Sequence, residues 1–149
     1  MIDLINSEIL NNKNLSAKID LKVKDVTNIS ELNNLHLKIY VEEGNISFLD
    51  TSVMWRDDLK IIFNESLLTL NDDGINLVGT ILLDFEKVNN FYSSFQIKKT
   101  DRKEIKKIQI DFVYNLNNKN IRFDNPKVDN SKNENLENFL KRFNSQQNR

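Results

Sequence analysis

The amino-acid sequence predicts a mainly β protein: one large, curved antiparallel sheet of about eight or nine strands, a short helix near residues 88–96 and a C-terminal helix near residues 132–144. Two observations carry the sheet. Apolar residues recur at every second position along most of the chain, the period that sets alternate side chains on one face of a strand. Short turns join most of these runs, and short turns connect antiparallel neighbours, because a parallel crossover takes a dozen or more residues. A third observation supplies the helices: in two segments the apolar spacing changes to i, i+3, i+4 and i+7.

Taken from the N-terminus, Ile2, Ile5 and Ile9 stand at the spacing of a further short helix over 2–10. Over 15–24 the odd positions Leu15, Ala17, Ile19, Leu21 and Val23 are apolar and the even ones polar, so one face is greasy and the other wet. A single turn at 27–33 leads to Leu35, Leu37, Ile39 and Val41, interleaved with His36, Lys38, Tyr40 and Glu42. Glu43-Gly44 reads as a hairpin turn into 45–48. Val53 and Trp55 continue that strand on the opposite parity to Phe48, the mark of a bulge. Leu59, Ile61 and Phe63 alternate again, followed by Asn64-Glu65 and then Leu67, Leu68 and Leu70. Asp73-Gly74 is a strong hairpin signal before the return strand over 75–85, in which Gly79 interrupts the apolar parity and marks a bulge or a close backbone approach.

Val88, Phe91, Tyr92 and Phe95 form the first helical stripe, and residues 98–104 form a polar connection long enough for a mobile loop. Ile108, Ile110, Phe112, Tyr114 and Leu116 make a further strand, returning through Asn117-Asn118 to Ile121 and Phe123. Leu136, Phe139, Leu140 and Phe143 form the second helical stripe, with Ser131 as N-cap and Glu134 in the capping-box position. Lys141 and Arg142 suit the negative end of that helix, and 145–149 is expected to be a frayed tail.

Composition bounds what this sheet can do. The 149 residues, 39% hydrophobic and 29% charged, suit a single domain over 1–149. Lys+Arg 21 against Asp+Glu 22 leave a net charge of -1, with no global basic field to draw the chain onto nucleic acid. The absence of Cys excludes disulfides, thiolate nucleophiles and zinc–thiolate sites, and one His nearly excludes imidazole-based centres. Composition therefore argues against most enzymes, and no cofactor is expected. Asn makes up about one residue in six, scattered rather than in a block, which reflects AT-rich coding more than an aggregation-prone tract. No apolar run reaches the length of a bilayer span, and the N-terminus has no signal-peptide pattern.

Few residues propose chemistry. His36 falls on the wet parity of its strand without a second ligand. Asp57-Asp58 and Asp72-Asp73 are adjacent carboxylates of the kind turns use, without the spacing of a calcium loop. Lys98, Lys99, Arg102, Lys103, Lys106 and Lys107 form the one notable charge run, most simply a solvated loop; contact with anionic lipid headgroups is the sharper reading and nucleic acid the weaker.

The ordered texture of 73–85, of the helix Asn89-Asn90-Phe91-Tyr92-Ser93-Ser94-Phe95-Gln96, of the Lys/Arg loop, of 105–116, of Ile121-Arg122-Phe123-Asp124-Asn125 and of the terminal helix at 135–144 resembles the C-terminal region of AsmA-like bacterial envelope proteins (AsmA/TamB/YhdP type). The resemblance covers most of the chain and rests on order and texture, not on a catalytic motif. It implies a β-taco, a folded-over sheet with a hydrophobic groove, in a periplasmic protein anchored in the inner membrane. It also implies a role in phospholipid transport between inner and outer membranes and in outer-membrane assembly. Because the family's membrane anchor is missing and the chain is far too short to cross a periplasm, a C-terminal fragment or a split reading frame is expected, with Met1 an internal or truncated start.

A strand of about 12 residues spans roughly 40 Å, so eight strands present a large one-sided apolar face with little helix to cover it. Two outcomes remain open. In the first, an open groove holds phospholipid acyl chains against Ile19, Leu21, Val23, Leu37, Ile39, Val41, Ile81, Leu83, Ile110 and Phe112, while Lys98, Lys99, Arg102 and Lys103 meet headgroups. Inner- or outer-membrane proteins are further partners, and nucleic acid is not. In the second, the sheet closes over its own core as a protein-interaction or assembly module that docks through its edge strands.

Overall fold

The structure, a computed structural model, describes residues 14–71 and 74–147. The helix expected over 2–10 lies outside these residues. The alternating runs become β1 (Ser16–Asp25), β2 (Leu32–Glu42), β3 (Asn45–Phe48), β4 (Thr51–Trp55), β5 (Leu59–Asn71), β6 (Gly74–Phe85), β7 (Lys107–Asn115), β8 (Asn120–Val128) and β9 (Ser131–Lys132). They form one antiparallel 9-stranded sheet in the order β1-β2-β3-β5-β6-β7-β8-β9. β4 pairs β2 and β5 beside β3, so β3 and β4 are two halves of one broken strand. The order is linear and its two ends do not pair, so the sheet is not a closed barrel.

Each break in alternation has a local cause. Glu43 and Gly44, at φ 52 and 81, close the two-residue turn between Glu42 and Asn45, the backbone that a tight hairpin needs. Between β3 and β4 the chain kinks at Asp50, φ 52, and the inward parity passes from Ile46 and Phe48 to Thr51, Val53 and Trp55. Thr51 repairs the ladder across this kink: its Oγ1 accepts from Lys38 N at 3.2 Å and donates to Lys38 O at 3.4 Å. In β5 the register shifts between Asn64 and Leu67, with Glu65 at φ 50. The inward parity therefore changes from Phe63 to Ser66 and Leu68.

α1 (Val88–Ser94) packs its aromatic stripe on one end of the sheet. Phe91 lies 5.5 Å from Trp55 and 5.1 Å from Phe85, and Phe95 stacks on Trp55 at 5.7 Å. Asp58, buried, receives Asn90 Nδ2 at 2.9 Å, and its carbonyl receives the N–H groups of Glu86 and Lys87. That aspartate of the Asp57-Asp58 pair thus fastens the helix to the β4–β5 turn.

The connection at 98–104 is pinned, contrary to the expected mobile loop. A 3-10 turn spans Lys99–Asp101, Tyr92 Oη donates to Lys103 O at 2.8 Å, and Arg102 Nε donates to Ile97 O at 3.0 Å. The C-terminal helix, α2 (Glu134–Gln147), starts later than expected because Ser131 and Lys132 pair with Val128 and Lys127 as β9. Asp129 and Asn130, at φ 47 and 66, make the tight turn that returns the chain. Asn133 takes the capping role assigned to Ser131, accepting from Leu136 N at 3.0 Å. α2 also runs through Gln147, past the expected boundary at 144, and its last turn bonds to β8.

Candidate functional site

The pairing register shows where the ten nominated apolar residues lie. Ile19 faces Ile39, Leu21 faces Leu37 and Val23 faces Leu35 across β1 and β2. Val41 faces Ile46, Ile46 faces Leu68, Leu68 faces Leu77 and Leu77 faces Tyr114, which carries the same face across to β6 and β7. There Ile81 faces Ile110, Leu83 faces Ile108, and Phe112 stands opposite Gly79. All ten therefore share one face, in two groups separated by β3, β4 and β5.

Burial along that face is graded. Phe112 and Val41 are buried, 3% and 5% exposed, together with Ile46, Val53, Leu59 and Ile75. Ile19 and Leu21 on β1 are 51% and 46% exposed, so the same apolar face that is covered at its centre opens to solvent at the β1 end. Val23, Leu37, Ile39, Ile81, Leu83 and Ile110 are half-buried.

In the middle of the face the nominated Leu37 joins Phe48, Thr51, Phe63, Ser66 and Leu77, five residues that parity reasoning did not nominate, around an apolar cavity of about 190 Å³. Phe63 meets Phe112 edge-to-face at 5.9 Å and forms the wall toward β7. Beside this cavity two adjacent strands approach closely, because each carries a small residue there. The β5 bulge turns Ser66 inward over Gly79, and a Cβ at position 79 would lie 2.4 Å from Ser66 Oγ. Gly79 is thus the close backbone approach that its place inside a strand signalled. The parity change after Asn64-Glu65 was the other legible sign, and only their pairing makes the close approach. Thr51 is satisfied by the Lys38 backbone, whereas Ser66, 1% exposed, has no hydrogen-bond partner for its Oγ among the described residues.

The basic candidates sit at the α1 end. Lys98, Lys99 and Lys103 are exposed and Arg102 is half-buried, its Nε held by Ile97 O. Next to them Phe95 and Ile97 are 57% and 37% exposed, so apolar and cationic groups share this surface. His36 lies on the opposite, wet face, with its Nε2 2.8 Å from Asp20 Oδ1. That hydrogen bond, opposed by slight desolvation and aided by the charges of His36, Lys22 and Lys38, holds the Asp20 carboxyl below its ordinary pKa.

The geometry of this site is thus an apolar face, open at one edge, with a central cavity and a cationic end. No protein-family model, curated protein or solved structure matches the chain, so its role is to be read from that geometry.

Proposed function

We propose that this chain is a non-enzymatic module that holds phospholipid acyl chains on the apolar face of its sheet. The observation that carries the reading is the continuity of that face from buried Phe112 to solvent-exposed Ile19 and Leu21, with an apolar cavity between them. Each methylene transferred from water onto such a surface contributes about 0.8 kcal/mol, so a few carbons per strand hold a chain without any polar motif. The exposed Phe95 and Ile97 beside Lys98, Lys99 and Lys103 fit an anionic headgroup surface, where apolar side chains enter the interface and lysines meet phosphate. The resemblance to AsmA-like proteins supports a place on the periplasmic face of the envelope, in a protein anchored in the inner membrane and contributing to phospholipid transport between the two membranes and to outer-membrane assembly. Among the described residues no helix is long and apolar enough to cross a membrane.

Native mass spectrometry of the purified chain, with solvent extraction of what accompanies it, tests the reading. Bound phospholipid is the expected result, and an apo mass together with a dark apolar-surface dye would overturn it. A second reading has its own observation: the outer side of β1 pairs with no strand among the described residues, which favours an interaction module that docks a partner strand there.

A further inference from the structure

We propose that the α1 end of the sheet docks on an anionic phospholipid bilayer, with Phe95 and Ile97 entering the boundary between headgroups and acyl chains and Lys98, Lys99 and Lys103 lying on the surrounding phosphates. The proposal rests on the acyl-chain reading and adds the partner with which the apolar face exchanges its chains and the end at which it does so.

Register places this end on the apolar face. Trp55, Leu59 and Phe85 form one cross-strand row, and the next row along the same face is Val53, Ile61, Leu83 and Ile108. Phe95 stacks on Trp55 at 5.7 Å and is still more than half exposed, with exposed Ile97 beside it. The two side chains thus stand at the margin of the face and continue it outward through Trp55.

The backbone that carries them suits an apolar surrounding. A segment enters a membrane interface at little cost only when its own N–H and C=O groups are paired. Here the N–H of Phe95 donates to Phe91 O, that of Gln96 to Ser93 O, and that of Ile97 to Tyr92 O at 2.9 Å. Ile97 O in turn accepts from Arg102 Nε at 3.0 Å. Tyr92 Oη fixes the far side of the loop through Lys103 O, so the lysines are carried on a held backbone next to the apolar pair.

Charge names the kind of partner. Over 98–104 Lys98, Lys99, Arg102 and Lys103 outnumber Asp101 and Glu104, in a chain whose net charge is -1. A local basic patch on a slightly acidic protein selects an anionic surface, and exposed Phe95 and Ile97 select one with an apolar interior. A nucleic acid would satisfy the lysines and leave both apolar side chains in water.

Trp55 is the one tryptophan of the chain and lies under Phe95, so its fluorescence reports contact at this end. The full chain is mixed with vesicles of phosphatidylcholine and phosphatidylglycerol, or of phosphatidylcholine alone, both brominated on the acyl chains, and followed by flotation and by quenching of Trp55. The mixed vesicles should bind the chain and quench Trp55, with binding weaker by about tenfold or more on phosphatidylcholine alone. The exposed pair Lys98→Glu and Lys99→Glu should lose about tenfold or more on the mixed vesicles at an unchanged melting temperature. Ile97→Ser should bind more weakly at the same charge. Absence of binding, binding without quenching of Trp55, equal binding by the charge-reversed variant, or tighter binding of a DNA duplex than of the mixed vesicles would overturn the docking. If phospholipid still accompanies the chain in native mass spectrometry, any of these results leaves the acyl-chain reading intact. Docking by a chain that is apo and dark to an apolar-surface dye would overturn the acyl-chain reading instead.

Discussion

The two edges of the sheet meet the same physical problem and answer it differently. A sheet edge carries a row of backbone N–H and C=O groups without a strand to pair them. At β8 helix α2 supplies what the short β9 does not reach. Gln147 Oε1 accepts from Ile121 N at 3.0 Å, Asn144 Oδ1 accepts from Phe123 N at 3.0 Å, and Asn144 Nδ2 donates to Phe123 O at 2.7 Å. Below these bonds Phe143 packs against Phe123 at 5.8 Å and Leu140 is buried. At β1 no strand lies outside the ladder among the described residues, and nine of its ten residues are exposed. Its outward guard is electrostatic: Lys18, Lys22 and Lys24 project from the wet face, where they disfavour pairing with a second basic edge. One boundary of the sheet is finished by amide side chains, and the other has no such cover among the described residues.

Breaking the closed edge should have the largest effect. Leu140→Ala removes the one buried residue of α2 and should cost about 3 kcal/mol in denaturant unfolding, whereas Leu21→Ala on the open edge should cost below about 1 kcal/mol because that side chain already meets water. Equal losses at the two positions would erase the distinction. The pair Asn144→Ala and Gln147→Ala should come next, at about 1–2 kcal/mol for three lost hydrogen bonds at a solvent-accessible edge. Amide exchange at Ile121 and Phe123 should then accelerate while that of the β5–β6 ladder does not.

Ile19→Lys should change stability by less than about 1 kcal/mol, since the residue is 51% exposed. The same variant should lower the fluorescence of an apolar-surface dye, because it interrupts the open end of the face. The smallest effect should be on pH. Asp20 has its pKa lowered in the folded state by the His36 hydrogen bond, so its contribution is present above the unfolded carboxylate value of about 3.9 and is lost as pH falls through the lower folded value. A titration of the Asp20 carboxyl by NMR should show that lowering shrink in His36→Ala, which removes its largest cause.

Much of this architecture was legible before the structure, and the reasons are local. The odd-position stripe from Ala17 to Val23, the Glu43-Gly44 turn and the aromatic stripe of Phe91 and Phe95 all depend on residues within a few positions of one another. The misplacement at Ser131 has an equally local origin, since Asp129-Asn130 is a turn signal that competes with a helix start and prevails. The loop at 98–104 looked mobile because its sequence is polar, yet it is held by Tyr92, a residue on the preceding helix. The candidate site was half legible. Parity placed the ten nominated residues on one face, but which side chains meet at its centre depends on two breaks in register, at Asp50 and Glu65, that a period-two rule does not carry across.

From the sequence alone follow the strands, their apolar and wet faces, the turns between them and the scarcity of catalytic groups. Backbone sterics and the alternation of side chains decide these within a single segment. Only the tertiary structure decided that Ser66 stands over Gly79, that Leu37 and Phe63 wall the same cavity, and that Asn144 completes the β8 edge while β1 stays open. Those facts depend on register between strands and on the docking of a helix on the sheet, which contacts distant in sequence determine.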